Sequence, residues 1–341
     1  MPGAPDSPYG ALTPHQRQLV LRLLGGGAPI IIARLAAWCL LAGLVDIGSL
    51  TAAELFAGQR AITLGLRYYG VSCFAYELKD DPSMGTTDIL SDTGFAFALS
   101  LCLSLQPGAV VWIGIVCSTW VWMSRGSTGR CEAFPMGPSM PSQNVRDGNA
   151  MCARVMLLCY VIDAIGCIFV IEQPSSSILA LANRFRQLMR DITIYTTRLC
   201  LGHFMANTLK PILLYSNHQF ICELPTYALR NWAPSSDGVT TVAYITDAGD
   251  RRVDGAKALK DTQAYPMQFG EAFARLHTRY HAHFVQAALA RNRGIAALDL
   301  DVDAFARLPN DDGWIDAGLG PSFRILRSMA AMRECANRYS E

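Results

Sequence analysis

Three side chains stand where chemistry could be done. "VVWIGIVCSTWVW" (Val110–Trp122) carries an apolar run onto a single cysteine, Cys117, while "VSCFAYE" and "CIFVIE" each close one on a carboxylate, Glu77 and Glu172. Apolar packing requires neither a thiol nor an acid at such points. A cysteine without a CxxC partner serves either as a small buried hydrophobe or as a nucleophile, and carboxylates beside it can hold hydroxyl groups or move protons.

The runs that end on these residues read as strands. From Leu50 onward, stretches rich in Val, Ile and aromatic residues alternate with helical ones. "TAAELFAG" is followed by "QRAITLGLRYYG", "VSCFAYE" by "GFAFALSLCLSL", "AVVWIGIV" by "VRDGNAMCARVMLLCYVIDAIG", and "CIFVIE" by the amphipathic "SILALANRFRQLMRD", before two last strands, "ITIYTTRLC" and "PILLYSN". This alternation predicts an α/β fold with a mostly parallel, doubly wound sheet and helices on both faces. Ligands of such sheets lie outside the carboxyl ends of the strands, where strand order reverses. Phe56, Ala57 and Gly58 after the first strand, Glu77 after the second, Cys117 after the third and Glu172 after the fourth therefore share one edge.

The first turn, "ELFAGQRAITLG", narrows the ligand. Gln59 and Arg60 occupy positions where a GxGxxG turn would set glycines against a pyrophosphate, which argues against a dinucleotide. Glu77 suits the two hydroxyls of a ribose. An adenosine cofactor without a diphosphate meets both conditions.

The flanks are helical. "TPHQRQLVLRLL" predicts a helix capped by Thr13 with Pro14 in its first turn, and "PIIIARLAAWCLLAGLV" a buried helix, since Arg34 interrupts it before it could span a membrane. "YPMQFGEAFARLHTRYHAHFVQAAL" reads as a long late helix. The expected organisation is an N-terminal helical extension over 1–49, an α/β domain over 50–291 with a small insertion at about 217–260, and a C-terminal appendage over 292–341.

Composition excludes several classes. A net charge of +1 gives no global attraction to nucleic acid or an anionic membrane. Eleven cysteines without CxxC spacing fit neither a zinc knuckle nor a disulfide framework. Reduced thiols and no signal peptide point to the cytoplasm or nucleus. His277, His281 and His283 include an i, i+4 pair without a further ligand at usual spacing, and Asp299, Asp301 and Asp303 begin like a calcium loop but meet Ala304 where glycine is needed. No metal is expected.

Taken in order, "ELFAG", the acidic end of "FAYE", "TTDIL", "GIVCSTW", "FVIEQP" and "DTQAYPMQFGEAFARL" resemble the cytosine-C5 methyltransferases, over roughly Leu50 to Leu276. The resemblance implies a Rossmann-like class I methyltransferase fold, S-adenosylmethionine as cofactor and nucleic acid as substrate. It implies Phe56, Ala57 and Gly58 against the cofactor, Glu77 on its ribose, Asp88 on its adenine and Gln263 in the motif that closes over it. Cys117 is then the nucleophile that adds to C6 of the base, and Glu172 the acid at N3. The sequence departs from the family at Val116, where a proline is usual, at Gln173-Pro174, where Asn-Val is usual, and at "ANTLKP", where Lys210 replaces an arginine. The Gly/Ser/Pro-rich "MSRGSTGRCEAFPMGPSMPSQNVRDGN" reads as a substrate loop, with Arg125, Arg130 and Arg146 for phosphates and Trp120 or Trp122 for a base. The small insertion and near-neutral charge leave two alternatives: methyl transfer to RNA or a small molecule without a covalent step, or an inactive interaction module.

Overall fold

The computed structural model describes residues 8–81, 85–229, 241–247, 249, 251–255, 262–293, 299, 301–308 and 312–319. Its centre is a six-stranded mixed sheet in the order β2–β1–β3–β4–β6–β5, formed by β1 (Leu50–Leu55), β2 (Cys73–Tyr76), β3 (Leu105–Ile113), β4 (Ile168–Pro174), β5 (Tyr195–Cys200) and β6 (Pro211–Ser216). β2, β1, β3 and β4 run parallel; β6 is antiparallel to both β4 and β5. The reversal has a local cause: only ten residues join β5 to β6, enough for a hairpin return and too few for a parallel crossover. The expected α/β sheet with parallel strands is present, with this one strand reversed.

Helices cover both faces. One face carries α1 (Pro14–Gly25), α2 (Ile30–Leu41), α4 (Asp92–Leu103) and α6 (Gln143–Ala164), around Ala53, Leu55, Val111, Ile113, Phe169 and Ile171. The other carries α3 (Ala61–Tyr68) and α8 (Met267–Arg293), around Ala52, Val110, Trp112, Val170 and Leu214. Two-residue alternation along each strand sends neighbouring side chains into opposite cores. Between α4 and α8 in sequence lie α5 (Arg125–Thr128), α7 (Asn183–Asp191) and a separate hairpin of β7 (Thr241–Ile245) and β8 (Arg251–Gly255).

Several flanking expectations now have a structure. Thr13 caps α1, its hydroxyl accepting from the Gln16 amide while the Gln16 side chain accepts from the Thr13 amide at 2.9 Å. α2 is buried through Ile32, Ala33, Leu35, Ala36 and Leu40 and belongs to the same core as the sheet, as do Phe305 and Trp314 from the C-terminal segment. Phe220, Ile221 and Leu224, at the start of the presumed insertion, are fully buried in the opposite core. The stretch 230–240 of that insertion and residues 320–341, which include Cys335, lie outside the described residues. Asp301 caps α9 (Val302–Arg307) through the amides of Asp303 and Ala304, which gives that acidic run a structural use.

Candidate functional site

Strand order puts the site at one place. β1 leads outward to β2 on one side, and β3 continues on the other, so the topological switch lies between the carboxyl ends of β1 and β3. The backbone there is strained. All four non-glycine residues with positive φ among the described residues, Phe56 (61°), Arg60 (59°), Met205 (71°) and Lys210 (30°), sit in loops at this edge. An aromatic side chain in the left-handed region is unusual and is held there only by its surroundings.

The turn after β1 is tied to β2. The Ala57 amide donates to the Tyr76 carbonyl, and the Gly58 amide donates to Glu77 Oε2 at 2.7 Å. Glu77 is half-buried, and a Cβ at Gly58 would meet nothing within 4 Å, so the turn faces open space. Arg60 pairs with Asp80 across the same turn. Asp88 lies in the loop before α4, where Oδ1 accepts from the Leu90 amide at 2.9 Å. Gly94 of α4 rests on the Asp88 carbonyl so closely that a Cβ would approach within 1.9 Å. Gln263 is exposed in the turn that precedes α8.

Cys117 is not the last residue of a strand. β3 ends at Ile113, where the Gly114 amide makes a closing bond to Leu55, and the thiol lies four residues on, in a tight turn whose Cys117 carbonyl accepts from Trp120 and Val121. What brings it back to the sheet is Gln173. Its side-chain amide donates to the Ile115 carbonyl at 2.7 Å, and the Ile178 amide holds the Trp120 carbonyl, so the Cys117 turn is pinned onto the end of β4. Glu172, expected just beyond β4, is inside it, because pairing with β6 prolongs the strand to Pro174.

Glu172 points into the α3/α8 face and is only 5% exposed. Its Oε2 accepts from the Tyr265 hydroxyl at 2.8 Å, while Oε1 is buried without a hydrogen-bond partner. Burial raises the Glu172 carboxyl above the usual carboxylate range, against the Lys210 ammonium and the Tyr265 hydrogen bond. Cys117 is half-buried and within electrostatic reach of both Glu172 and Lys210. Desolvation, then the Glu172 charge, push its thiol up to about 11, with Lys210 opposing. Lys210 approaches from the loop before β6, and its ammonium donates to the Thr262 carbonyl at 2.7 Å. Thiol, acid and cation therefore lie within electrostatic reach of one another at the ends of β3 and β4, while Glu77 stands three strands away, about 14 Å at normal strand spacing.

The Gly/Ser/Pro-rich loop after Cys117 departs from the sequence reading in two places. Arg130, expected on a phosphate, is 1% exposed; its guanidinium lies 3.5 Å over the Trp120 ring and donates to the carbonyls of Pro135 and Val145. Trp120, a candidate for base stacking, is the floor of that contact and equally buried. This pair organises the loop rather than greeting a ligand. Arg125 remains half-buried at the start of α5, Arg146 is exposed and bonded to Pro141 and Gln143, and Trp122 is 57% exposed.

Three residues were not singled out from sequence. Tyr265 and Gln173 fix Glu172 and the Cys117 turn. Glu54, wholly buried on β1, accepts from the Thr63 amide at 2.8 Å and the Thr63 hydroxyl at 2.6 Å, and burial pushes it up to about 7. An acid in the middle of an apolar strand, in "TAAELFAG", was the visible signal for the last. Among the described residues there is no group of three or more potential metal ligands, and no helix is long and apolar enough to cross a membrane. No protein-family model, curated protein or solved structure matches the chain.

Proposed function

We propose that the chain transfers a methyl group from S-adenosylmethionine to C5 of a cytosine, through a covalent adduct on Cys117 with Glu172 as the acid. The observation that carries the reading is a thiol within electrostatic reach of a buried carboxyl whose Oε1 lacks a partner, at the same sheet edge as Glu77. The first turn fits the cofactor: open space above Gly58 admits it, and Glu77, with one oxygen on the Gly58 amide, has the other for ribose hydroxyls. When bound, the sulfonium supplies an electrophilic methyl group.

The chain's own groups do the rest. With its thiol raised to about 11, Cys117 is protonated at neutral pH and loses that proton to water as sulfur bonds to C6. The C5–C6 electron pair is displaced into the ring, and Glu172 gives a proton to N3, which absorbs the charge. C5 takes the methyl group, whose former bonding pair stays behind as a lone pair of the resulting thioether. The C5 proton leaves to water as the C5–C6 double bond re-forms, Glu172 recovers its proton from N3, and the expelled Cys117 thiolate takes a proton back from water. The net charge of +1 and the burial of Arg130 support a single-stranded or isolated base over a duplex.

The test combines calorimetry with labelled S-adenosylmethionine and cytosine-containing single-stranded DNA, duplex DNA and RNA. Cys117→Ser should lose transfer by at least about 100-fold while keeping cofactor affinity. Undiminished transfer by Cys117→Ser favours a non-covalent methyltransferase, and absence of cofactor binding in the parent chain leaves an interaction module.

A further inference from the structure

We propose that Tyr265 is a positioning residue: its hydroxyl holds Glu172 by Oε2 and so directs the acid proton to Oε1, the oxygen turned to the substrate. The inference rests on the reading of Glu172 as the proton-bearing acid. A protonated carboxyl has one oxygen that donates and one that only accepts. Tyr265 donates to Oε2 at 2.8 Å, which makes Oε2 the accepting oxygen and leaves the proton on Oε1, which no protein group engages. Without that bond the two oxygens would exchange roles, and the proton would face the sheet in a share of the molecules.

The phenol is clamped for this purpose. Its ring meets the edge of Trp112 at 5.7 Å and tilts on Phe269 at 5.6 Å. Gly114 leaves room for the hydroxyl: a Cβ there would lie 2.9 Å from the Tyr265 oxygen. Lys210 ties down Thr262, three residues before the tyrosine, and its ammonium is 5.9 Å from the ring. The titratable groups facing this pair are Lys210 from the loop before β6, Cys117 from the loop after β3, and Glu54 from β1. Burial opposes the Glu172 carboxylate, while Lys210 and the Tyr265 hydrogen bond favour it. Removing the phenol hydroxyl therefore moves the Glu172 titration upward.

The experiment uses the full chain labelled with carboxyl-13C glutamate, with the Glu172 signal assigned by Glu172→Gln and titrated by infrared or NMR spectroscopy. Tyr265→Phe keeps the ring and its packing. Its Glu172 midpoint should rise by about one pH unit, and Gly114→Ala, which crowds the hydroxyl, should raise it in the same direction. In the methyl-transfer assay with a single-stranded cytosine oligonucleotide, Tyr265→Phe should lower kcat by about tenfold, leave KM nearly unchanged and move the alkaline limb up. An unchanged midpoint in both variants overturns the inference even if methyl transfer is found. A raised midpoint in a chain that transfers no methyl group upholds the tie between Tyr265 and Glu172 and removes the catalytic reading instead.

Discussion

Single residues at this edge are set by burial as much as by their neighbours. Glu54 shows it most simply: a carboxyl usually near 4.5 is pushed up to about 7 because the sheet and α3 exclude water, although Thr63 gives it two hydrogen bonds. Between those two pH values the folded chain holds a proton that the unfolded chain has released. Stability from the neutral carboxyl is thus complete below about 4.5 and is lost as pH rises to about 7, a difference of about 3 kcal/mol. Glu54→Gln keeps an oxygen for both Thr63 donors and carries no charge. Urea unfolding at pH 5 and pH 8 should show a smaller difference in the variant than in the parent by about that amount; equal differences would show that Glu54 ionises freely in the fold. Such residues were only partly legible. Cys117, Glu77 and Glu172 stood out because polar groups closed apolar strands, whereas Tyr265 and Gln173 matter through partners 93 and 58 residues away. Arg130 and Trp120 misled for the same reason, since composition cannot tell an arginine laid on a buried ring from one on the surface.

Elements place those residues, and the crossing of α3 with α8 matters most. Gly65 and Gly270 bring the two helices into backbone contact: a Cβ on Gly270 would lie 2.0 Å from the Ala61 carbonyl, and one on Gly65 would lie 2.4 Å from Gly270. This close crossing lays the start of α8 over β3, where Phe269 and Phe273 surround Trp112, and it carries Tyr265 to Glu172. Gly270→Ala forces the helices apart and should cost about 2 kcal/mol in urea unfolding, with loss of the Tyr265–Glu172 bond. Gly126→Ala, which meets nothing within 4 Å, serves as the control and should change stability by less than about 0.5 kcal/mol; equal stability of the two would contradict the packing account. The elements themselves were well marked in the sequence, because β-branched runs and helical periods alternate through 50–216. Strand ends and direction were not. β3 stops at Ile113 and β4 runs on to Pro174 because of what each pairs with, and β6 reverses because its connection is short.

The molecule as a whole binds its flanks to the site. Arg154, buried on α6, donates to the carbonyls of Ile89 and Ser91 beside Asp88 and to Ala317 of the C-terminal segment, while Trp314 of that segment stacks under Arg184. The turn of Glu77, the loop of Asp88, the Cys117 turn and the acid on β4 thus rest on one continuous structure, and among the described residues the non-glycine positions of positive φ all lie at the edge they share. The most direct measurement of what that edge does is mass spectrometry of the chain incubated with S-adenosylmethionine and a single-stranded oligonucleotide bearing 5-fluorocytosine. Fluorine at C5 cannot leave as a proton does, so the account predicts a stable adduct between the oligonucleotide and the peptide containing Cys117, dependent on the cofactor and absent in Cys117→Ser. Methylated cytosine formed from the ordinary oligonucleotide, with no adduct from the fluorinated one, would contradict it.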